Sequence, residues 1–237
     1  MAAIEDSEGN TAEKNLTDQT FMAGVTSDID LTDLTFYVLK VGDYVYKDGT
    51  TGTEFVAHNT VAKVFWLGDP TEQDTQLGVD YSYCTHGLAY KIDDEGSIEI
   101  IPDTYGTAPA TTWGAVTSTI ITYDNYSSYT NENNIHGYSN TVAIKTDAKD
   151  GFISAVSPEL PVIEEKTSSW YIPSIGEIKE INNIYPDVFG IKQLWTSTIY
   201  QWINKQIKAS YYVPNTNMKN DGSSTYTRCY SFYILAF

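Results

Sequence analysis

Positive charge is what this chain has least of. Its 237 residues carry 14 Lys and Arg against 31 Asp and Glu, a formal net charge of −17 with three neutral histidines. So acidic a surface repels a phosphate backbone and an anionic bilayer, which argues against nucleic-acid binding and membrane-surface adsorption. Long apolar runs are also missing. No segment reaches the roughly 20 apolar residues that a spanning helix needs, so membrane insertion is not expected. Cysteine is down to two, Cys84 and Cys229, with no C-x-x-C and no zinc spacing. Two reduced thiols are the expectation; a bridge between them is the minority alternative. His58, His86 and His136 are scattered, and nothing in their spacing builds a metal site. No G-x-S-x-G, H-E-x-x-H or phosphate loop occurs. The sequence therefore assigns no catalytic residue, no cofactor and no metal. The opening MAAIEDSEGNTAEKN has neither a positive n-region nor an apolar h-region. The expectation is a chain kept in the cytoplasm, one that leaves by another route such as a virus particle, or one whose leader lies outside this sequence.

What is present starts with an acidic segment. Residues 1–34 hold eight Asp and Glu against one lysine, Lys14, and Phe21 is their one aromatic residue. That composition predicts an extended arm, held in place by a partner chain or a second copy because it can bury little of itself. From Thr35 the pattern changes to alternating strands. TFYVLKVGDYVYKDGT runs into a Lys-Asp-Gly turn at 47–49, and TVAKVFWLGD at 60–69 is a second strand. HGLAYKIDDEGSIEII at 86–101 predicts a hairpin turning at Asp94–Gly96. Residues 102–134, rich in Thr, Ser, Tyr, Asn and Gly, predict long surface loops. YSNTVAIKTDA at 138–148 predicts a short helix capped by Ser139 or Asn140. SSWYIPSIGEIKEI at 168–181 carries the clearest local signal: Ser174 and Glu177 have the S-x-x-E spacing of a capping box. Ile175, Ile178 and Ile181 follow as one apolar face, and Pro186 stops the helix. RCYSFYILAF predicts a terminal strand.

VGDYVYKDGT, HGLAYKI, GYSNTVAI, SSWYIPSIGEIKEI, LWTST and RCYSFYILAF occur in that order. Together they resemble the C-type-lectin-like domain of Bacteroides-group bacterial proteins and their phages, a fold related to formylglycine-generating enzymes and retroelement-diversified variable proteins. The resemblance covers residues 37–237. It implies an α+β, C-type-lectin-like fold with small antiparallel sheets, one or two short helices and long loops, preceded by the extended N-terminal arm. The domains are then residues 1–34, an assembly anchor, and 35–237, the lectin-like domain. It also implies that Trp170, Pro173, Glu177, Trp195 and Ser197 are scaffold, a role that suits a buried indole whose N–H is satisfied. Neither cysteine matches a phrase that would give it the role the related enzymes use. The tripeptides of calcium-dependent sugar binding are absent as well. The acidic turns DDEG (93–96) and DAKDG (147–151) are read as serving the turns, not a cation.

The remaining signal is in the C-terminal loops, where the diversified members vary. Trp202, Asn204, Tyr211, Tyr212, Asn215, Asn217, Asn220 and Tyr226 combine amphipathic aromatic area with adaptable hydrogen bonding, the composition of a paratope. The competing view is that these loops are plain surface or a subunit contact. The main expectation is a non-enzymatic, virion-associated recognition or decoration protein of a bacteriophage. Its arm would dock on other virion proteins, and its loops would bind a host-surface glycan or protein. The alternatives are a bacterial cell-surface adhesin or fimbrial tip, and a purely structural cement or fibre subunit. A homo-oligomer is expected, at the virion on the main reading and at the bacterial cell surface on the alternative.

Overall fold

The chain divides between Lys40 and Val41 into two units, residues 1–40 and 41–237. The computed structural model describes residues 2–5, 11–14, 37–102, 112–115, 134–147, 166–201, 206–220 and 229–237. In the first unit, β1 (Ala2–Glu5) pairs antiparallel with β2 (Thr11–Lys14), Ala2 opposite Lys14 and Glu5 opposite Thr11. The described backbone of the acidic segment is thus a short hairpin. Two strands by themselves are marginal in water.

The second unit is α+β and is built on two small sheets. β3 (Tyr44–Tyr46) and β4 (Thr51–Gly52) close around the 47–49 turn, where Gly49 takes φ +80°. β5 (Thr60–Leu67) carries the alternating run TVAKVFWL, its inward positions Ala62 and Val64 fully buried. Two helices follow that sequence reading did not place. α1 (Pro70–Gln73) has proline at its first turn and the Asp69 carboxylate accepting from the Thr71 amide at 2.8 Å. α2 (Thr75–Asp80) is capped by Asp74, which accepts from the Leu77 amide at 3.1 Å. β6 (Gly87–Lys91) then pairs with β5, and an Ile92–Ile98 bridge continues its hairpin around the 93–97 turn. The Asp93 carboxylate accepts from the Glu95 and Ser97 amides, the turn service expected of that acid.

The second sheet holds six strands. β7 (Ile101–Pro102) and β8 (Thr112–Ala115) come from the loop-rich region. Two helices precede the rest: α3 (Gly137–Asp147), then α4 (Ile175–Ile184). β9 (Gln193–Gln201) and β10 (Gln206–Val213) form the long central pair. A 3-10 turn at Pro214–Thr216 leads to the edge strand β11 (Met218–Asn220). The terminal run RCYSFYILAF, expected as one strand, makes two. β12 (Cys229–Ser231) lies parallel to β9, whereas β13 (Ile234–Ala236) lies antiparallel to β6 in the other sheet. Phe232 and Tyr233 between them are buried, so the chain crosses the core to change sheets. The orders are β13-β6-β5-β3-β4 and β11-β10-β9-β12-β7, with β8 also on β10.

The capping box forms as its residues require. Ser174 Oγ accepts from the Glu177 amide at 3.3 Å, and the Glu177 carboxylate accepts from the Ser174 amide at 2.6 Å. Ile175, Ile178 and Ile181 are fully buried, worth about 1.5–3 kcal/mol each for the area taken from water. They join a core that also holds Phe65, Leu88 and Tyr90 from the first sheet, and Leu194 and Tyr212 from the second. Trp170, Pro173, Trp195 and Ser197 are buried as well. The edge of β13 is closed by the segment before α4: Tyr171 and Ile234 exchange both backbone hydrogen bonds, at 3.0 and 3.1 Å. Cys84 is buried with a free thiol, and burial pushes its pKa up to about 12, so it behaves as a small apolar residue.

Candidate functional site

The described residues offer two polar assemblies, one inside the domain and one at an end of the second sheet. The inner one begins with Asp74, whose carboxylate is buried. While capping α2, it also accepts from the Ser139 amide at 2.9 Å and from the Ser139 hydroxyl in a very short bond. Ser139 is therefore not the cap of α3, as its position in sequence suggested. The helix starts two residues earlier, and the third amide takes its acceptor from a different helix. One carboxylate thus caps two helices across 65 residues of sequence.

Glu177 does similar double duty. Its carboxylate closes the α4 capping box, accepts from the Tyr171 hydroxyl at 3.3 Å and is bonded by the Gly137 amide at the start of α3. A side chain at Gly137 would run into the Glu177 carboxylate and the Tyr171 ring, which is why glycine stands there. Burial pushes the Glu177 carboxyl up to about 8; the Ser174 and Gly137 donors oppose the shift, and the charge of Asp74 reinforces it. The Tyr171 hydroxyl is pushed up by its own burial and then by Glu177. Beside them, the Tyr138 hydroxyl donates to Asp80 at 2.8 Å, and the Tyr138 ring meets Tyr81 and Tyr171 edge to face. These carboxylates spend their lone pairs on amides and hydroxyls of neighbouring elements. Among the described residues, no group of three His, Cys, Asp or Glu is placed to hold a metal.

The outer assembly includes some of the residues singled out in the sequence. Asn215 and Asn217 are exposed on the 3-10 turn between β10 and β11. The Asn215 amide donates to Asp187 at 3.1 Å, and Asn217 takes a left-handed φ of +50° while accepting from the Tyr212 hydroxyl at 3.2 Å. Tyr212 departs from expectation. It is 4% exposed and belongs to the core, because β10 at that point is flanked by β9 and β11 and packs inward. Its neighbour Tyr211 lies in β10 opposite Trp195 and Asn220, and Asn220 ends β11. Trp202, Asn204 and Tyr226 lie outside the described residues. So the structure brings Asn215 and Asn217 together, moves Tyr212 into the core, and places Tyr211 and Asn220 on adjoining strands.

Two features at this end escaped sequence reading. Asp187, at φ +69°, holds Asn215 from the turn after α4, and Ile191 in the same turn is 84% exposed. The run PDVFG carries the Pro-Asp…Gly signature of that turn, with Gly190 at φ +57°. Nothing local in the sequence says that it abuts residues 214–217.

No family model matches this chain, and no curated protein does. Among solved structures it is similar to a fimbrial protein from Bacteroides ovatus ATCC 8483, with a TM-score of 0.53 and 19% identity over 84% of this chain and 49% of that one. The likeness is one of fold, and this chain spans about half the length of that protein.

Proposed function

We propose that the protein is a non-enzymatic subunit of a bacterial surface structure of the fimbrial kind, with a C-type-lectin-like domain that presents the Asn215–Asn217 end and its neighbouring loops to a glycan or protein ligand. One observation carries the reading: the likeness to a fimbrial protein, which extends over 84% of this chain. The buried acids support it from the chemical side. Asp74 and Glu177 are consumed in capping and are not poised toward a substrate. The virion role gains nothing from the comparisons, so the surface alternative takes its place. No helix among the described residues is long and apolar enough to cross a membrane.

The test is localisation followed by attachment. Antibody against the protein should label intact cells of the native bacterium, and shearing should release it with surface filaments. Deleting the gene should reduce attachment to a glycan array or to host matrix protein. Recovery in the soluble cell interior alone, or in phage particles, would overturn the proposal.

A further inference from the structure

One row of side chains on the first sheet carries polar heads that the protein itself does not use. Tyr44 in β3 stands opposite Lys63 in β5, and Lys63 stands opposite Tyr90 in β6, so the three share one face across adjacent strands. Tyr185, the residue that ends α4, completes the group. Its ring meets Tyr90 edge to face at 6.0 Å. The Lys63 ammonium lies 5.0 Å from the centroid of the Tyr185 ring and 5.5 Å from that of Tyr44. Neither the ammonium nor any of the three hydroxyls has a hydrogen bond or an ion pair within the protein. Lys91 on β6 differs, since Glu99 holds it at 2.7 Å. Among the described residues, the polar side-chain atoms sealed from solvent without a partner are Asn182 Oδ1 and Ser197 Oγ. The Tyr90 hydroxyl is not one of them, so it reaches solvent although the residue is only 4% exposed.

The chemistry of this group suits one anion. Burial pushes the Tyr90 hydroxyl up, with Tyr185 and Tyr44 adding to the shift; burial also pushes Tyr185 up, with Tyr44 and Asp43 adding. Both phenols therefore keep their protons at neutral pH and stay donors. A phenol also accepts, as the hydroxyls of a sugar require. Asp43 is buried and has a partner of its own. In a chain of net −17, one unspent ammonium matches a single carboxylate and not a polyanion. Tyr185 also lies two residues before Asp187, whose carboxylate holds Asn215. One turn of chain thus joins the group to the Asn215–Asn217 end. We infer that Lys63, Tyr44, Tyr90 and Tyr185 bind the carboxylate of an acidic sugar, a uronic or a sialic acid, in a glycan ligand. This deepens the proposed function and rests on its glycan reading.

Titration calorimetry of the full chain tests the inference with methyl β-glucuronide, methyl α-N-acetylneuraminide, methyl β-glucoside and acetate as probes. At least one of the two sugar acids should bind about tenfold or more tightly than the neutral glucoside and than acetate. Whichever binds names the source of the carboxylate. Lys63→Met keeps an apolar stem against both rings and removes the charge, so it should weaken that binding about tenfold or more. Tyr90→Phe and Tyr185→Phe each remove one hydroxyl and keep the ring, and each should weaken it several-fold. If Lys63→Met fails to fold, these two variants still give the answer. Four results would overturn the inference. The first is that neither sugar acid binds in the millimolar range. The second is a neutral glucoside that binds as tightly as the acids. The third is acetate that binds as tightly as they do, which reduces the group to a bare anion site. The fourth is an affinity unchanged in every variant that folds, which leaves Lys63 as mere cover for two rings. The cell-labelling result is read separately. Surface labelling without sugar-acid binding ends this inference alone. A protein confined to the cell interior that binds a sugar acid through Lys63 keeps the site and ends the surface reading.

Discussion

Removing the Asp74 carboxylate should destabilise the protein more than a usual surface or cap substitution, because three donors on two helices lose their acceptor at once. The Leu77 amide loses the cap of α2, worth about 1 kcal/mol. The Ser139 amide and hydroxyl lose hydrogen bonds to a charged group, about 1.5–3 kcal/mol each, and stay buried. Against this stands the relief of no longer burying a carboxylate, which returns several kcal/mol. For Asp74→Ala the net is about 3 kcal/mol of lost stability. Asp74→Asn separates the parts. Its amide oxygen can still serve Leu77 and the Ser139 hydroxyl, but its NH2 then faces the Ser139 N–H. The cost should be one lost bond, about 1.5 kcal/mol. Ser139→Ala should cost about 1 kcal/mol, and a double-mutant cycle with Asp74→Ala should return a coupling of about 1 kcal/mol or more. Urea unfolding followed by circular dichroism supplies all four numbers. An Asp74→Ala loss below about 1 kcal/mol, or additive effects of Asp74 and Ser139, would refute the shared cap.

Three further outcomes follow from the same core. Glu177 has its folded pKa raised to about 8 from an ordinary 4.5; the stability this group contributes is fully present below the lower value and is lost as pH rises through the upper one, so between pH 5 and 8 wild type should lose stability relative to Glu177→Gln, and parallel pH profiles of the two would count against it. Trp195→Ala, at a 2% exposed position, should cost about 3–5 kcal/mol in denaturant unfolding, whereas Ser174→Ala should cost about 1 kcal/mol; a Trp195→Ala protein that melts like the parent removes this ring from the scaffold. Gly137→Ala should lower the thermal midpoint by more than Ser174→Ala does, because its methyl meets the Glu177 carboxylate and the Tyr171 ring, and an unchanged midpoint would show that the α3 start can yield.

The elements legible in the sequence are those whose signals are local. The capping box, the isoleucine face of α4 and the strand 60–67 are each written within a dozen residues. The Asp69–Pro70 start of α1 is equally local, with a cap and a first-turn proline side by side, but a helix of 4 residues is too short to show an apolar period. What stayed hidden depends on residues far apart. Asp74 looks like a cap for α2 and nothing more; only the fold brings α3 onto it. Ser139 has the right type for a cap but sits inside the helix, because its acceptor arrives from elsewhere. The split of RCYSFYILAF follows from an apolar run too uniform to mark which residues pair with which sheet.

The candidate ligand end shows the same limit in a form that bears on function. Composition alone groups Tyr212 with Asn215 and Asn217, since all three are of the kinds a binding face uses. The fold divides them by one turn of chain. Tyr212 lies near the end of β10 inside the core, and its hydroxyl reaches out to hold Asn217 in a left-handed conformation. Asn215 is held from the other side by Asp187. The exposed asparagines are therefore presented by a buried tyrosine and by the turn after α4, both of which belong to the scaffold. Loss of binding on replacing Tyr212 would report a misplaced turn or a damaged core, and says little about what the ligand touches. Loss on replacing Asn215 or Asn217, with stability unchanged, speaks of the face itself. Aromatic residues earn their place at binding faces by area exposed to a partner, and one 4% exposed has none to offer.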